Sequence, residues 1–168
     1  MMERAAAEPR GAMEFSFQSA DRCRVDDLTG AGDCNRSQGR QLPADNRLVE
    51  NANLFFGIAR QAGKAVAWVR CSRIGHGKHY FRIRGLRTRQ EFRNRGIGSV
   101  LLGYAVGEML TTHGGDAVYS FILPENTVSI RIHERAGFCR VVPPFPAPER
   151  HLCYGIRACD YKKSSTGV

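Results

Sequence analysis

The feature that most constrains this chain is a junction. Tyr80-Phe81-Arg82-Ile83-Arg84-Gly85-Leu86-Arg87-Thr88, rich in aromatic and β-branched residues, reads as a strand. Shortly after it come Arg93-Asn94-Arg95-Gly96-Ile97-Gly98-Ser99, and then Ile97, Val100, Leu101, Tyr104 and Ala105 recur at the spacing of one helical face. Two glycines therefore stand where a strand turns into a helix. The first amides of a helix have no carbonyl partner and carry the positive end of its dipole. Gly96 and Gly98 keep side chains away, so a phosphate can approach those amides closely. Arg93 and Arg95 add full charge beside them. The junction predicts an anion site suited to a pyrophosphate. A simple tight turn is the plainer alternative for a glycine pair. It is not the usual phosphate loop, because no Gly-Lys-Ser or Gly-Lys-Thr follows, and the third glycine of a dinucleotide fingerprint would fall at Leu101.

A second block decides between these readings. Asn126-Thr127-Val128-Ser129-Ile130-Arg131-Ile132-His133-Glu134-Arg135-Ala136-Gly137-Phe138 follows another apolar strand, 117–123. Together the two blocks resemble the GCN5-related N-acetyltransferase (GNAT) family. Arg93, Gly96 and Gly98 match its Arg/Gln-x-x-Gly-x-Gly/Ala signature. Asn126, Ser129, His133, Gly137 and Phe138 match its second signature, in a form similar to the branch that acetylates amino acids and phosphinothricin. The similarity covers about residues 53–142. It implies an α/β acyl-coenzyme A N-acyltransferase fold, with a mixed, mostly antiparallel sheet splayed between two strands and flanked by helices. It also implies acetyl-coenzyme A as co-substrate and an amine acceptor.

At 168 residues the chain is long enough for one domain with a real core, and 42% apolar with 24% charged residues is ordinary for a soluble protein. The expected plan is a mobile tail over 1–12, one domain over 13–160 and a tail over 161–168. No apolar run reaches membrane-spanning length and the N-terminus has no signal-peptide core, so a cytoplasmic location is expected. The six cysteines form no C-x-x-C and no zinc spacing with histidine, so no metal is expected. Cys71, Cys139 and Cys153 lie in strand-like runs and are expected to be reduced and buried. The net charge of +9, with arginines at 82, 84, 87, 89, 93 and 95, fits a polyanionic cofactor. Nucleic acid stays open on charge, but interleaved exposed aromatics are few. For Arg82, Arg84, Arg87 and Arg89 a solvated face is the simpler expectation. A homodimer also stays open.

Along the chain, residues 14–18 alternate as an edge strand should. Residues 21–52, with Asp21, Asp26, Asp27, Asp33, Asp45 and Glu50 among glycines, read as loops; their carboxylates either solvate those loops or hold a cationic amine. Residues 53–60 and 64–71 read as a hairpin across 61–63. In the strand 80–88 the apolar alternation slips at Gly85, which predicts a bulge. The helix from 97 should stop at His113-Gly114-Gly115, with Gly103 and Gly107 packed closely on the sheet. A helix over 126–136, a strand over 138–142, a stiff proline connector over 143–148 and a last strand over 151–158 complete the chain.

Acetyl transfer to an amine requires a neutral amine, a donor for the developing oxyanion and a proton for the departing thiolate. A bulge at Gly85 would leave backbone amides near Leu86 and Thr88 free, Leu86 as oxyanion donor and both as partners of the pantetheine amides. The resemblance assigns the pyrophosphate to Arg93, Asn94, Arg95, Gly96, Ile97, Gly98 and Ser99. Asn126 caps its helix or touches the pantetheine. His133 stands where the family places a tyrosine or histidine near the sulfur; an imidazolium of ordinary pKa, about 6.5, would serve the thiolate. A histidine merely packed in its helix is the competing reading. No Asp or Glu occurs between Glu50 and Glu91, so the family's usual glutamate base has no counterpart; His76, His79, Tyr80 or solvent would take the amine proton. The expected function is acetyl-coenzyme A-dependent N-acetylation of a small amine or amino acid. The rivals are a macromolecular acceptor (protein N-terminus, lysine or aminoacyl-tRNA) and a non-catalytic acyl-coenzyme A-binding module.

Overall fold

A computed structural model describes residues 11–23, 53–75 and 79–165. The tail over 1–10, the acidic interval from Asp26 to Glu50 and His76 lie outside the described residues. Within them the strands are β1 (Met13–Ser19), β2 (Leu54–Gln61), β3 (Lys64–Gly75), β4 (His79–Thr88), β5 (Ala117–Ile122), β6 (Cys139–Arg140) and β7 (Leu152–Arg157). They form one sheet ordered β1-β2-β3-β4-β5-β7-β6. Every neighbouring pair is antiparallel except β4 and β5. A parallel pair needs a crossover, and helix α1 (Ile97–Gly107) supplies it. Helices α2 (Thr127–Arg135) and α3 (Ala158–Ser165) follow β5 and β7. The expected hairpin closes tightly through Ala62 and Gly63, both at positive φ (49° and 74°), as a two-residue turn matched to strand twist demands.

The sheet buries both faces. On one, Phe55, Ala59, Val69, Cys71, Phe81, Ile83 and Val118 meet Leu101, Leu102, Ala105, Val106 and Met109 of α1 and its continuation. On the other, Phe56, Ile58 and Trp68 form one cluster, and Ala117, Tyr119 and Cys153 form a second with Tyr80, Phe121 and Phe145. The stripe expected on α1 is shifted. Val100 is 57% exposed, whereas Leu102 and Val106 are fully buried. A helix lying flat on a sheet buries a wide face, and both leucines fit within it.

The helix glycines are not packed on the sheet as expected. A Cβ at Gly103 would meet open space, and one at Gly107 would lie 2.7 Å from the Tyr161 hydroxyl of α3. The close approach is at Gly57 in β2, where a Cβ would lie 2.8 Å from Val69 Cγ1 and 3.3 Å from Ala105 Cβ. Gly57→Ala should therefore overpack the helix–sheet contact and cost about 1–3 kcal/mol in urea unfolding. Gly103→Ala should cost nothing and gain up to about 1 kcal/mol of helix propensity.

Past Gly107 the helix widens into a five-residue π segment, Glu108–Thr112, in which the His113 amide reaches back to the Glu108 carbonyl at 3.0 Å. Gly114, at φ 63°, ends it where the sequence placed the stop. Two expectations near the C-terminus need correction. The strand read over 138–142 shortens to Cys139–Arg140, leaving Cys139 exposed, because prolines at 143 and 144 offer no donors to a ladder. The last strand, read to residue 158, ends at Arg157, and α3 runs from Ala158 through Ser165. Tyr161, packed against the core, holds it there.

Candidate functional site

β4 and β5 pair only from Tyr80↔Ala117 to Ile83↔Ser120. Beyond Ile83, β4 continues through residues 84–88 with β3 alone, so the sheet opens at the carboxyl ends of its two parallel strands. Ligands of open α/β sheets bind at such a place. The irregularity that opens it lies between Arg70 and Cys71 of β3, which pair with Gly85 and Ile83. Arg84 is thus the extra residue, one position before the glycine that the sequence marked. A bulge bends its strand and raises local twist. With a neighbour on one side only, alternate backbone groups over 84–88 face away from β3. Leu86 lies in this stretch, its side chain turned into the core.

The loop after β4 returns the chain to that free end. A Cβ on Gly98 would lie 3.3 Å from Thr88 Oγ1 and 3.8 Å from Leu86 Cδ2, so the first turn of α1 stands against the open end of β4. Asn94 (φ 59°) and Gly96 (φ 76°) are both left-handed. A left-handed residue followed by a right-handed one, here Gly96 and Ile97 at the start of α1, turns successive N–H groups into one concavity, the kind of backbone nest that holds anions. Ser99 and Val100 donate to the Gly96 carbonyl, at 3.1 Å each. Among the described residues no carbonyl accepts from the amides of Asn94, Arg95, Gly96, Ile97 or Gly98. No acidic side chain occupies the first turn of α1. Arg93 Nε donates to the Thr88 carbonyl (3.2 Å) and the Arg95 guanidinium lies over Phe92 (5.3 Å). Both arginines are exposed, so their charge borders the nest without filling it.

Helix α2 begins at the carboxyl end of β5. Asn126 is its cap, the side-chain oxygen accepting from the Ser129 amide at 3.1 Å. Asn126 itself is exposed. His133 is 2% exposed, 5.1 Å from the Phe138 ring. Its Nδ1 lies 2.8 Å from the Ser129 carbonyl and 3.4 Å from Ser129 Oγ. A carbonyl can only accept, so Nδ1 carries the proton and Nε2 the lone pair. Nε2 is buried without a partner. Burial pulls the His133 pKa below its ordinary value, the Ser129 carbonyl opposing the shift in part. Burial thus favours the neutral ring over the imidazolium of ordinary pKa expected from the sequence.

Of the candidate bases, His79 is exposed, and Tyr80 packs its ring 5.5 Å from Tyr119 and 6.2 Å from Phe145. The arginines of β4 are not uniformly solvated either. Arg82 is half-buried with its guanidinium 4.5 Å above Phe121, and burial followed by the charge of Arg84 lowers its pKa. Arg70 of β3, which sequence reasoning passed over, joins them. Its only signal was an arginine inside the apolar run Val69-Arg70-Cys71. Among the described residues no group of His, Cys, Asp and Glu could hold a metal ion, and no helix is long and apolar enough to cross a membrane.

Comparison with known proteins agrees with this geometry. The profile of the "Acetyltransferase (GNAT) family" matches residues 24–138, more than half of the chain. The chain belongs to that family. A relative from Mycobacterium leprae (strain TN), an uncharacterized protein, is 29% identical over 98 residues, 58% of this chain. The match spans only 26% of that relative's length. Among solved structures, a chain from Desulfovibrio desulfuricans described as a GNAT acetyltransferase superposes with a TM-score of 0.67 at 18% identity, over 88% of this chain and 99% of its own. A variant of spermidine N-acetyltransferase SpeG from Vibrio cholerae gives 0.69 at 14% identity, over 91% and 98%. At such identities the likeness is one of fold.

Proposed function

We propose that the chain transfers the acetyl group of acetyl-coenzyme A to the primary amine of a small molecule or amino acid. The observation that carries this reading is the set of unpartnered amides from Asn94 to Gly98, standing against the free end of β4. The nest and its two arginines suit the pyrophosphate, with Ser99 closing the first turn of α1. The outward-facing backbone of residues 84–88 suits the pantetheine amides, joined by the Asn126 carboxamide. In the reaction the amine nitrogen attacks the thioester carbon, the N–C bond forms, the C–S bond breaks, and the ammonium proton is lost as the thiolate gains one. A backbone N–H near Leu86 would hold the transient oxyanion. His133 enters this scheme as a proton source only through its scarce protonated form. Among the described residues no carboxylate lies on β3 or β4, which favours proton loss to solvent or through Tyr80.

Acetyl-coenzyme A should raise the melting temperature, and an amine panel should release free thiol. Stabilisation without thiol release from any small amine, peptide or aminoacyl-tRNA would leave a binding module. The net charge of +9 favours the second reading, a macromolecular acceptor, which thiol release with peptides or tRNA but not small amines would select.

A further inference from the structure

On the sheet face opposite α1, β3 and β4 carry an arginine cluster around an empty spot. Trp68 pairs with Arg87, Arg70 with Gly85, and Ser72 with Arg82, so these side chains share the face of the Trp68 cluster. Arg84, the bulge residue, donates through Nε to Ser72 Oγ at 3.0 Å. A Cβ on Gly85 would meet nothing within 4 Å, and Gly85 is not in the left-handed region. The missing side chain leaves open space opposite Arg70. Among the described residues no carboxylate forms an ion pair with Arg70, Arg82, Arg84 or Arg87.

We propose that the acceptor amine bears an anionic oxygen group, a carboxylate or a phospho group, which Arg70 and Arg84 hold in the space over Gly85. The inference rests on the acetyltransferase reading above and names the acceptor class for that same site. The space over Gly85 lies two residues past the last β4–β5 pair, beside the opening where the thioester carbon would be presented. An anion anchored there leaves its amine within reach of that opening. A purely solvated basic face fits poorly. Arg70 and Arg82 each keep a buried Nε with no partner, whereas a solvated guanidinium would turn those donors to water. The Arg70 pKa is lowered by burial first, then by the like charges of Arg84 and Arg87. An oxyanion removes that repulsion and takes a bidentate geometry that arginine suits well. A polyamine, itself polycationic, would add to the repulsion, although a structural neighbour is a spermidine N-acetyltransferase.

The test is thiol release from acetyl-coenzyme A with free α-amino acids, their neutral carboxamides, aminoalkylphosphonates and spermidine. Amino acids or aminophosphonates should exceed the carboxamides by about 10- to 100-fold in kcat/KM, the range of one charge-assisted contact, and the better of the two identifies the anion. Arg70→Gln and Arg84→Gln should each raise KM for the anionic acceptor about tenfold and shrink its advantage over the carboxamide, and Arg70→Gln should leave KM for acetyl-coenzyme A unchanged. Carboxamides or spermidine turning over as well as the anionic amines would overturn the proposal. So would variants that keep the full discrimination, or no turnover of any anionic amine by protein that binds acetyl-coenzyme A. Failure of acetyl-coenzyme A to stabilise the protein would instead strike the underlying reading.

Discussion

Gly98→Glu is expected to abolish the stabilisation by acetyl-coenzyme A while leaving the unliganded protein's melting temperature within a few degrees of wild type. Its carboxylate would reach the same unpartnered amides that are proposed for the pyrophosphate, and would repel the phosphates as well. Folding should survive, because a glutamate in the first turn complements the helix dipole and is worth about 0.3–1 kcal/mol there. The one tight contact is with Thr88 Oγ1 at 3.3 Å, a hydroxyl that can turn aside. At a ligand concentration of about 100 times the wild-type dissociation constant, linkage predicts about 2.7 kcal/mol of stabilisation. A variant bound about 100-fold more weakly retains only about 0.4 kcal/mol at that concentration, by the same relation. Differential scanning fluorimetry resolves this difference. A full shift in Gly98→Glu would remove the pyrophosphate from this loop. Gly96 is the less clean site, since at φ 76° any side chain adds strain of about 1–2 kcal/mol.

The sequence revealed what repeats at short range. The strand–glycine–helix junction, the Asn126 cap and the bulge near Gly85 were all readable, because each depends on a few adjacent residues with a narrow conformational choice. Contacts set by packing were not. Val100 and Leu102 fit a helical stripe equally well on paper, and only the flat sheet beneath α1 chooses Leu102. Gly57, the glycine that lets α1 approach, lies in a strand far from the helix and gave no signal beside Gly103 and Gly107. Helix α3 read as a tail because Lys-Lys-Ser-Ser carries no apolar period, and its anchor is a single tyrosine against Gly107. The arginines of β4 read as solvated because charge runs usually are. What the sequence could not convey was that the bulge places Arg84 beside Ser72 and sets Arg70 opposite a residue without a side chain.

His133 shows the same limit at the level of chemistry, and its replacement should have the largest effect on stability. His133→Ala removes a ring that is 2% exposed and packed on Phe138, so a loss of about 2–4 kcal/mol is expected from the cavity. His133→Phe keeps the volume and discards the orphaned Nε2, and should recover most of that loss at pH 7. Acid separates the variants further. The folded pKa of His133 lies below the unfolded value of about 6.5, so its contribution is intact above that pH. It is lost as pH falls from there through the lowered folded pKa, because the unfolded chain takes up the proton first. Wild-type stability should accordingly decline on acidification below about pH 6.5, and His133→Phe should decline less. A wild-type curve no steeper than the variant's would contradict the buried neutral ring. The same variant decides the chemical role. A proton donor at the sulfur acts only near the transition state, so its loss lowers kcat by about 10²-fold or more while KM for acetyl-coenzyme A holds. A donor of lowered pKa also makes the wild-type kcat gain toward acid relative to that of His133→Phe. Turnover of the folded variant within a few-fold of wild type, with parallel pH profiles, would instead assign His133 to the packing of α2 alone.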